Sequence, residues 1–185
     1  MGTLSIFIIA VGLAMDVFAV SLGIGTSRKA NAFRPIFRIA FHSGLFQGLM
    51  TLLGWLAGST IASFIASFDH WIALVLLAFV GVRMILSGLD QKVEEHSPNP
   101  TRGLSLMMIC IATSIDAMAV GLSFAMLQVH ILSASLLIGV VSLALSVVGL
   151  LTGNTLGARF GKRMEILGGL LLNGIGIRIV LSHLL

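Results

Sequence analysis

The chain has 185 residues, of which 57% are hydrophobic and only 10% charged, with a mean hydropathy of +1.09 and a formal net charge of +4. A soluble domain carries roughly 25% charged residues, so this composition excludes one, and long apolar runs without alternation exclude a barrel; the chain reads as an all-α integral membrane protein. The basic residues sit in short segments between apolar runs, which argues against nucleic-acid binding, and the single cysteine, Cys110, excludes an intramolecular disulfide and a multi-cysteine metal site.

Six candidate spans follow in order. The first runs from about Thr3 to Gly25; it has no basic leader and no clear cleavage site, so it reads as a retained span rather than a signal peptide. A basic loop with Arg28, Lys29, Arg34 and Arg38 follows, where Pro35 is expected to break the helix. The second span runs from about Ile39 to Ile61, with an extension toward Phe68 allowed, and Asp69 and His70 are read as a turn. The third covers Trp71 to Leu89, and the polar linker 90–102 holds Glu94, Glu95, Pro98 and Pro100. The fourth runs from Gly103 to Leu127, followed by a tight turn at Gln128 to His130. The fifth covers Ile131 to about Thr152, a basic loop carries Arg159, Lys162 and Arg163, and the sixth runs from Ile166 to Leu185. Roughly 19–25 residues at about 1.5 Å each cross ~30 Å of hydrocarbon.

Charge orients these spans. The three loops after spans one, three and five hold Arg28, Lys29, Arg34, Arg38, Lys92, Arg102, Arg159, Lys162 and Arg163, whereas those after spans two and four hold no lysine or arginine. The positive-inside rule puts the basic loops in the cytoplasm and both termini outside.

The two halves repeat. Asp16, Ala19, Val20 and Leu22 match Asp116, Ala119, Val120 and Leu122 at an offset of 100. Gly54, Leu56, Gly58 and Thr60 match Gly149, Leu151, Gly153 and Thr155 at an offset of 95, as do Gly81, Arg83, Leu86, Ser87 and Leu89 with Gly176, Arg178, Leu181, Ser182 and Leu184. An odd number of spans per copy inverts the second copy. The expected fold is therefore six transmembrane helices in two inverted three-helix repeats, about 1–89 and 103–185 around the linker, forming one transporter-like domain.

Asp16, in AMDVFAVSLG, and Asp116, in SIDAMAVGLS, lie mid-span and are repeat mates. A carboxylate at membrane depth is costly and marks a functional site. Small neighbours (Gly12, Ala19 and Gly23 around Asp16; Ala112, Thr113 and Ala119 around Asp116) leave room for a compact cation, and two carboxylates match a divalent one. Oxygen donors suit Mg, Ca or Mn. The bland alternative is a structural pair, each aspartate bridging an arginine or bonding across helices. Gln47 and Asn173 are further candidate ligands, with Thr51, Thr113, Ser142 and Ser146 as outer candidates; each could instead bond a neighbouring backbone carbonyl. Arg83 and Arg178 either snorkel to headgroups or act as gates and counter-ions. His42 reads as interfacial.

AMDVFAVSLG and ATSIDAMAVG, with HWIALVLLAFVGVRMI and EILGGLLLNGIGIRI, make the chain resemble the bacterial manganese efflux pumps (MntP) along essentially its whole length. The resemblance implies a multi-pass protein of the bacterial inner membrane that exports Mn2+ and protects against manganese excess, with the acidic motif positions at Asp16 and Asp116 and a polar position at Gln47. It departs from the family pattern at Thr51, where relatives often carry proline, and at Asn173, where an aliphatic residue is usual. Spacing alone supplies only a small divalent cation; export of another metal or a cationic amino acid, and a membrane scaffold, are the other readings. No spanning His-Glu or Ser-His arrangement supports an enzyme. No cofactor is expected, the partners being Mn2+ and membrane lipid, with a homo-oligomer allowed. Because the emptied site would hold two negative charges, exchange for protons is the expected coupling, with pairing to Arg83 or Arg178 as the other route.

Overall fold

The computed structural model describes residues 2–25, 32–65, 69–89 and 103–184, and all regular structure among them is α-helical. The elements are α1 (Thr3–Gly25), α2 (Phe33–Ile65), α3 (Asp69–Leu89), α4 (Gly103–Met126) and α5 (Ile131–Leu184). Four stretches are long and apolar enough to cross a membrane, namely Thr3–Gly25, Phe33–Thr60, Gly103–Met126 and Ile131–Gly153, and Ile166–Ile175 is a shorter apolar one. Large apolar side chains such as Phe33, Leu45, Leu104, Leu132 and Leu136 are exposed, while Ser43, Gln47, Thr51, Asp116, Ser142 and Ser146 are buried. Large apolar side chains on the outside and these polar ones inside suit a lipid environment. The chain is an all-helical, multi-pass membrane protein.

Three local expectations are corrected. Pro35 does not break a helix; it lies in the first turn of α2, where Ile36 N–H already bonds the Ala32 carbonyl and a missing proline N–H costs nothing. Asp69 and His70 form the first turn of α3 instead of a connecting turn. The basic stretch with Arg159, Lys162 and Arg163 is helical, inside α5. It contains no proline, and most of its residues are good helix formers, so local helical turns persist through it. Residues 26–31 and the linker 90–102 lie outside the described residues, as do the side chains of Arg83 (in α3) and Arg178 (in α5).

The turn expected after α4 is present and has a clear cause. Gln128 adopts a left-handed φ of 51°, Gln128 N–H bonds the Ala125 carbonyl and Val129 N–H bonds the Phe124 carbonyl. This is a Schellman cap, and its usual apolar contact is made by Val129 and Phe124 in one core cluster.

Close glycine contacts fix the packing. Gly54 lies against the Met118 carbonyl and Gly58 against Leu122, while Ser43 meets Cys110, so α2 and α4 run parallel. Gly149 lies against Phe18 and Gly153 against Leu22, so α1 runs parallel to the first part of α5. Gly44 and Gly139 approach backbone to backbone, with Gly48 on Ser135, where α2 and α5 cross antiparallel. Small residues let helices approach closely in lipid, where no hydrophobic drive presses them together.

The 54 residues of α5 would span about 80 Å if straight. They do not run straight. Ile131, Ala134 and Ile138 belong to one cluster with Ile6, Leu13 and Phe124. Leu150 belongs to a second, with Ile24, Ile39 and Cys110. Leu172 and Ile175 are back in the first cluster, and Leu172 packs on Gly12. The path thus crosses the molecule, reverses between Gly153 and Gly168, and returns beside α1.

Candidate metal centre

The centre forms where α2 meets α4 and α1 meets the first part of α5. Asp116 sits on α4 and is only 2% exposed. Its Oδ1 accepts the N–H of Ala117 at 2.8 Å. On the neighbouring α2, Gln47 is fully buried, and its Nε2 donates to the Thr113 carbonyl at 3.4 Å. That bond ties the two helices together one turn before Asp116. The Thr51 hydroxyl donates to the Gln47 carbonyl at 2.8 Å, and the Thr113 hydroxyl donates to the Ile109 and Cys110 carbonyls at 2.9 and 3.2 Å. Both hydroxyl protons are thereby turned to the backbone, which leaves the oxygen lone pairs as acceptors.

Asp16 sits half-buried on α1. Its helix is joined to α5 by a 2.8 Å bond between the Ser21 and Ser146 hydroxyls. Val17, Val20 and Ser21 of α1 share a narrow cleft, too tight to hold a water, with Ser43 of α2 and Ile109 and Thr113 of α4. The cleft adjoins Asp16 through Val17 and lies one helical turn from Asp116 through Thr113. Leu13, Ala117 and Val120 meet in one core cluster a little farther along, so the two acidic segments pack on the same side of the bundle.

Among the described residues no three of His, Cys, Asp and Glu come together as a metal cluster. A cation here would have to complete its shell with neutral oxygens. Three neutral oxygens, Gln47 Oε1, Ser114 Oγ and Ser142 Oγ, are buried with no hydrogen-bond partner among the described residues. An orphaned buried polar atom costs about 1–3 kcal/mol, so three in one small protein ask for a ligand. Asn173 differs: its Nδ2 donates to the Gly169 carbonyl at 2.9 Å within its own helix. His42 bonds the Arg38 carbonyl through Nδ1 at 2.7 Å, near the start of α2, as its interfacial reading implies.

Ser114 was absent from the residues singled out by sequence. Its repeat mate is Ala14, so a search for matched polar positions passes over it. Its place two residues before Asp116 was the only available signal.

Comparison with known proteins decides the family. Residues 30–180 match the family model described as "Putative manganese efflux pump". The chain belongs to this family. A relative from Syntrophotalea carbinolica, named "Putative manganese efflux pump MntP", is 45% identical over 100% of this chain and 99% of its own length. Relatives of the same name from Citrifermentans bemidjiense and Methanospirillum hungatei are 48% and 46% identical, over 100% and 96% of this chain and 99% and 92% of their own lengths. No solved structure matches the chain. As in the resemblance noted from sequence, the match to MntP relatives runs through both aspartate segments.

Proposed function

We propose that the chain exports Mn2+ across the bacterial inner membrane, with Asp16 and Asp116 as charged ligands and Gln47 as a neutral one. The observation that carries this reading is Asp116: a carboxylate 2% exposed in a membrane helix, one turn after the Thr113 carbonyl that the buried Gln47 amide bonds. The names of the relatives supply the metal; the donor set, all oxygen, agrees with a hard divalent ion. Thr51, Thr113, Ser142 and Ser146 orient the site, and Asn173, bonded within its own helix, is the weakest candidate ligand. Arg83 and Arg178 remain counter-ion candidates by their repeat positions.

The architecture proposed with it is six crossings in two inverted repeats, both termini outside. Its support is a set of matched contacts. Gly54 on Met118 corresponds to Gly149 on Phe18, Gly58 on Leu122 to Gly153 on Leu22, and Gly121 on Thr51 to Ser21 on Ser146, each through the sequence offsets of 95 and 100. Gly44 on Gly139 is its own mate, as a pair on a two-fold axis must be. The reversal of α5 supplies the sixth crossing.

Exchange for protons follows from charge. Two carboxylates and one Mn2+ sum to zero, and after release the pair regains neutrality by taking up two protons, which leave again as the next Mn2+ binds. Two protons in for one Mn2+ out moves no net charge, so a pH gradient drives the cycle and a membrane potential does not.

The test is Mn2+ flux in vesicles. Asp16→Asn or Asp116→Asn keeps side-chain size and removes one charge, leaving the dication under-compensated in a medium of low dielectric. Either is expected to abolish flux and manganese tolerance at normal membrane insertion, and a collapsed pH gradient to stop wild-type flux. Full flux with both aspartates neutralised refutes the site. The same strains report orientation, a C-terminal tag being reached from outside intact cells.

A further inference from the structure

We propose that the groove between α2 and α5 seats one acyl chain of an anionic phospholipid, whose phosphate pairs with Arg34 and Arg38 at the start of α2. The inference is independent of the cation site and concerns the lipid-facing side of the bundle.

The groove comes from missing side chains. Where α2 and α5 cross, Gly44 meets Gly139 backbone to backbone and Gly48 lies on Ser135. These three glycines line a trough of about 430 Å³, with Phe41 and Leu45 of α2 and Val140 of α5 among its walls. Those three wall residues are 44%, 44% and 56% exposed, so the trough opens toward the bilayer. Its lining side chains are apolar except for Ser135, whose hydroxyl is turned to the Leu132 carbonyl at 3.3 Å. Such a trough offers water few partners and a hydrocarbon chain close contact.

Charge distinguishes its two ends. Arg34 and Arg38 precede Phe41 and Leu45 by two turns of α2. Seven residues bring a helix back to within about 20° of the same direction, so both arginines stand on the face that lines the trough, about 10 Å before its near end. Phe33, Phe37 and Phe41 stack along that interval, with ring centroids 6.2 and 5.7 Å apart, and give it an apolar wall. No acidic residue lies between Asp16 and Asp69, so the patch has one sign. The far end, at Leu52 and Leu132, has no such patch: α2 beyond Arg38 and α5 before Arg159 carry no lysine or arginine. One leaflet supplies about 15 Å of hydrocarbon, half of ~30 Å, so a phosphate at the arginines carries its chain past Phe41 and into the trough. Basic pockets between membrane helices hold anionic headgroups in this way. A chain seated there touches both halves of the sequence and braces α2 against α5.

Native mass spectrometry reads the site, with phosphatidylglycerol and phosphatidylcholine of the same chains added in equal amounts to the purified protein in detergent. One phosphatidylglycerol is expected to stay bound in preference to phosphatidylcholine. Arg34→Gln is expected to lower that preference about fivefold, and Arg34→Gln with Arg38→Gln to remove it. Val140→Phe, which narrows the trough from its exposed wall, is expected to lower retention of both lipids. Arg163→Gln, in the other basic stretch, is expected to change neither. Unchanged retention in Val140→Phe overturns the inference. So does equal loss in Arg34→Gln and Arg163→Gln, which means diffuse attraction to a charged surface, and so does a lipid-free dimer, in which a second copy fills the trough. If a variant does not purify, the wild type decides. Dihexanoyl phosphatidylglycerol has the same headgroup and chains too short to reach far into the trough, and is expected to compete at least about tenfold more weakly than the long-chain lipid. Equal competition, or displacement of the lipid by glycerol 3-phosphate, leaves a headgroup site alone and overturns the proposal.

Discussion

The seam between α2 and α4 and the seam between α1 and the first part of α5 are built on the same backbone plan and lined differently. Each closes on two glycines four residues apart, Gly54 and Gly58 in one and Gly149 and Gly153 in the other. Each packs those glycines on equivalent positions of the acidic helix. Yet the α2–α4 seam holds Gln47, Thr51 and Thr113 on a helix pair whose Asp116 is fully buried, whereas the α1–α5 seam holds Ser21 and Ser146 on a pair whose Asp16 is half-buried. Close packing needs small residues at fixed points, and both halves keep them. Ion binding needs oxygens around one ion, and these the two halves divide unequally. The plan is shared because packing is; the lining need not be, if the proposed site holds a single ion.

The largest effect expected is loss of the shared plan. A Cβ at Gly54 runs into the Met118 carbonyl, and one at Gly121 into the Thr51 carbonyl. Backbone cannot step aside as a side chain can, so Gly54→Ala and Gly121→Ala must part α2 from α4. Overpacking costs about 1–3 kcal/mol, and a backbone collision belongs at the upper end of that range. At Gly149 the added Cβ meets Ser21 Cβ at 2.8 Å and the Phe18 carbonyl at 2.9 Å, a shallower overlap, so Gly149→Ala is expected to cost less, while Gly174→Ala, with nothing within 4 Å, costs nothing. Metal-free melting of the purified variants checks the order. Equal melting of Gly54→Ala and Gly174→Ala breaks the packing half of the comparison.

These glycines show what could be read in advance. Gly54, Gly58, Gly149 and Gly153 appeared in the repeat because identical residues at one offset are visible in a sequence. The Gly44–Gly139 crossing, also at that offset, gave no such signal alone, since an isolated glycine in an apolar run has many uses. Asp16 and Asp116 were legible because charge at membrane depth is rare. Ser114 was not, because a serine is distinguished only by whether its proton finds a carbonyl, and that depends on rotamer and neighbours. The helical basic stretch in α5 was misread as a loop because charge marks where a chain meets water, not where its backbone stops coiling.

An intermediate effect tests the unequal lining. Gln47 and Ser142 are mates, both fully buried and both with an orphaned oxygen. Only Gln47 is bonded to the helix that carries a wholly buried carboxylate, one turn before Asp116. Gln47→Leu is therefore expected to weaken Mn2+ binding on the order of 10–100-fold, the scale on which groups tuning a metal site act. Ser142→Ala is expected to stay within about threefold, the loss of a modest polar contact. Titration calorimetry in nanodiscs reads both. Equal losses at the two positions mean the ion sits on the axis and is shared evenly.

The smallest effect concerns the hydroxyl pair that distinguishes the α1–α5 seam. Ser21 and Ser146 bond at 2.8 Å, both buried, at the place where the other seam has Gly121 against Thr51. There the helices touch without a polar link; here a hydrogen bond fills the same interval. Interhelical hydrogen bonds in lipid average about 0.6 kcal/mol, because the separated helices also find partners for their hydroxyls. Ser146→Ala leaves the Ser21 hydroxyl buried, but Ser21 lies on a helix and can turn its proton to a carbonyl one turn back, which limits the loss. Ser146→Ala and Ser21→Ala are each expected to lower metal-free stability by less than about 1 kcal/mol, and the double variant by little more than either, because a bond broken once cannot be broken again. Mn2+ affinity is expected to stay unchanged in all three. If the pair instead holds α1 at the distance Asp16 needs, affinity falls with stability in each single variant, and the α1–α5 seam is then as much a part of the site as its partner.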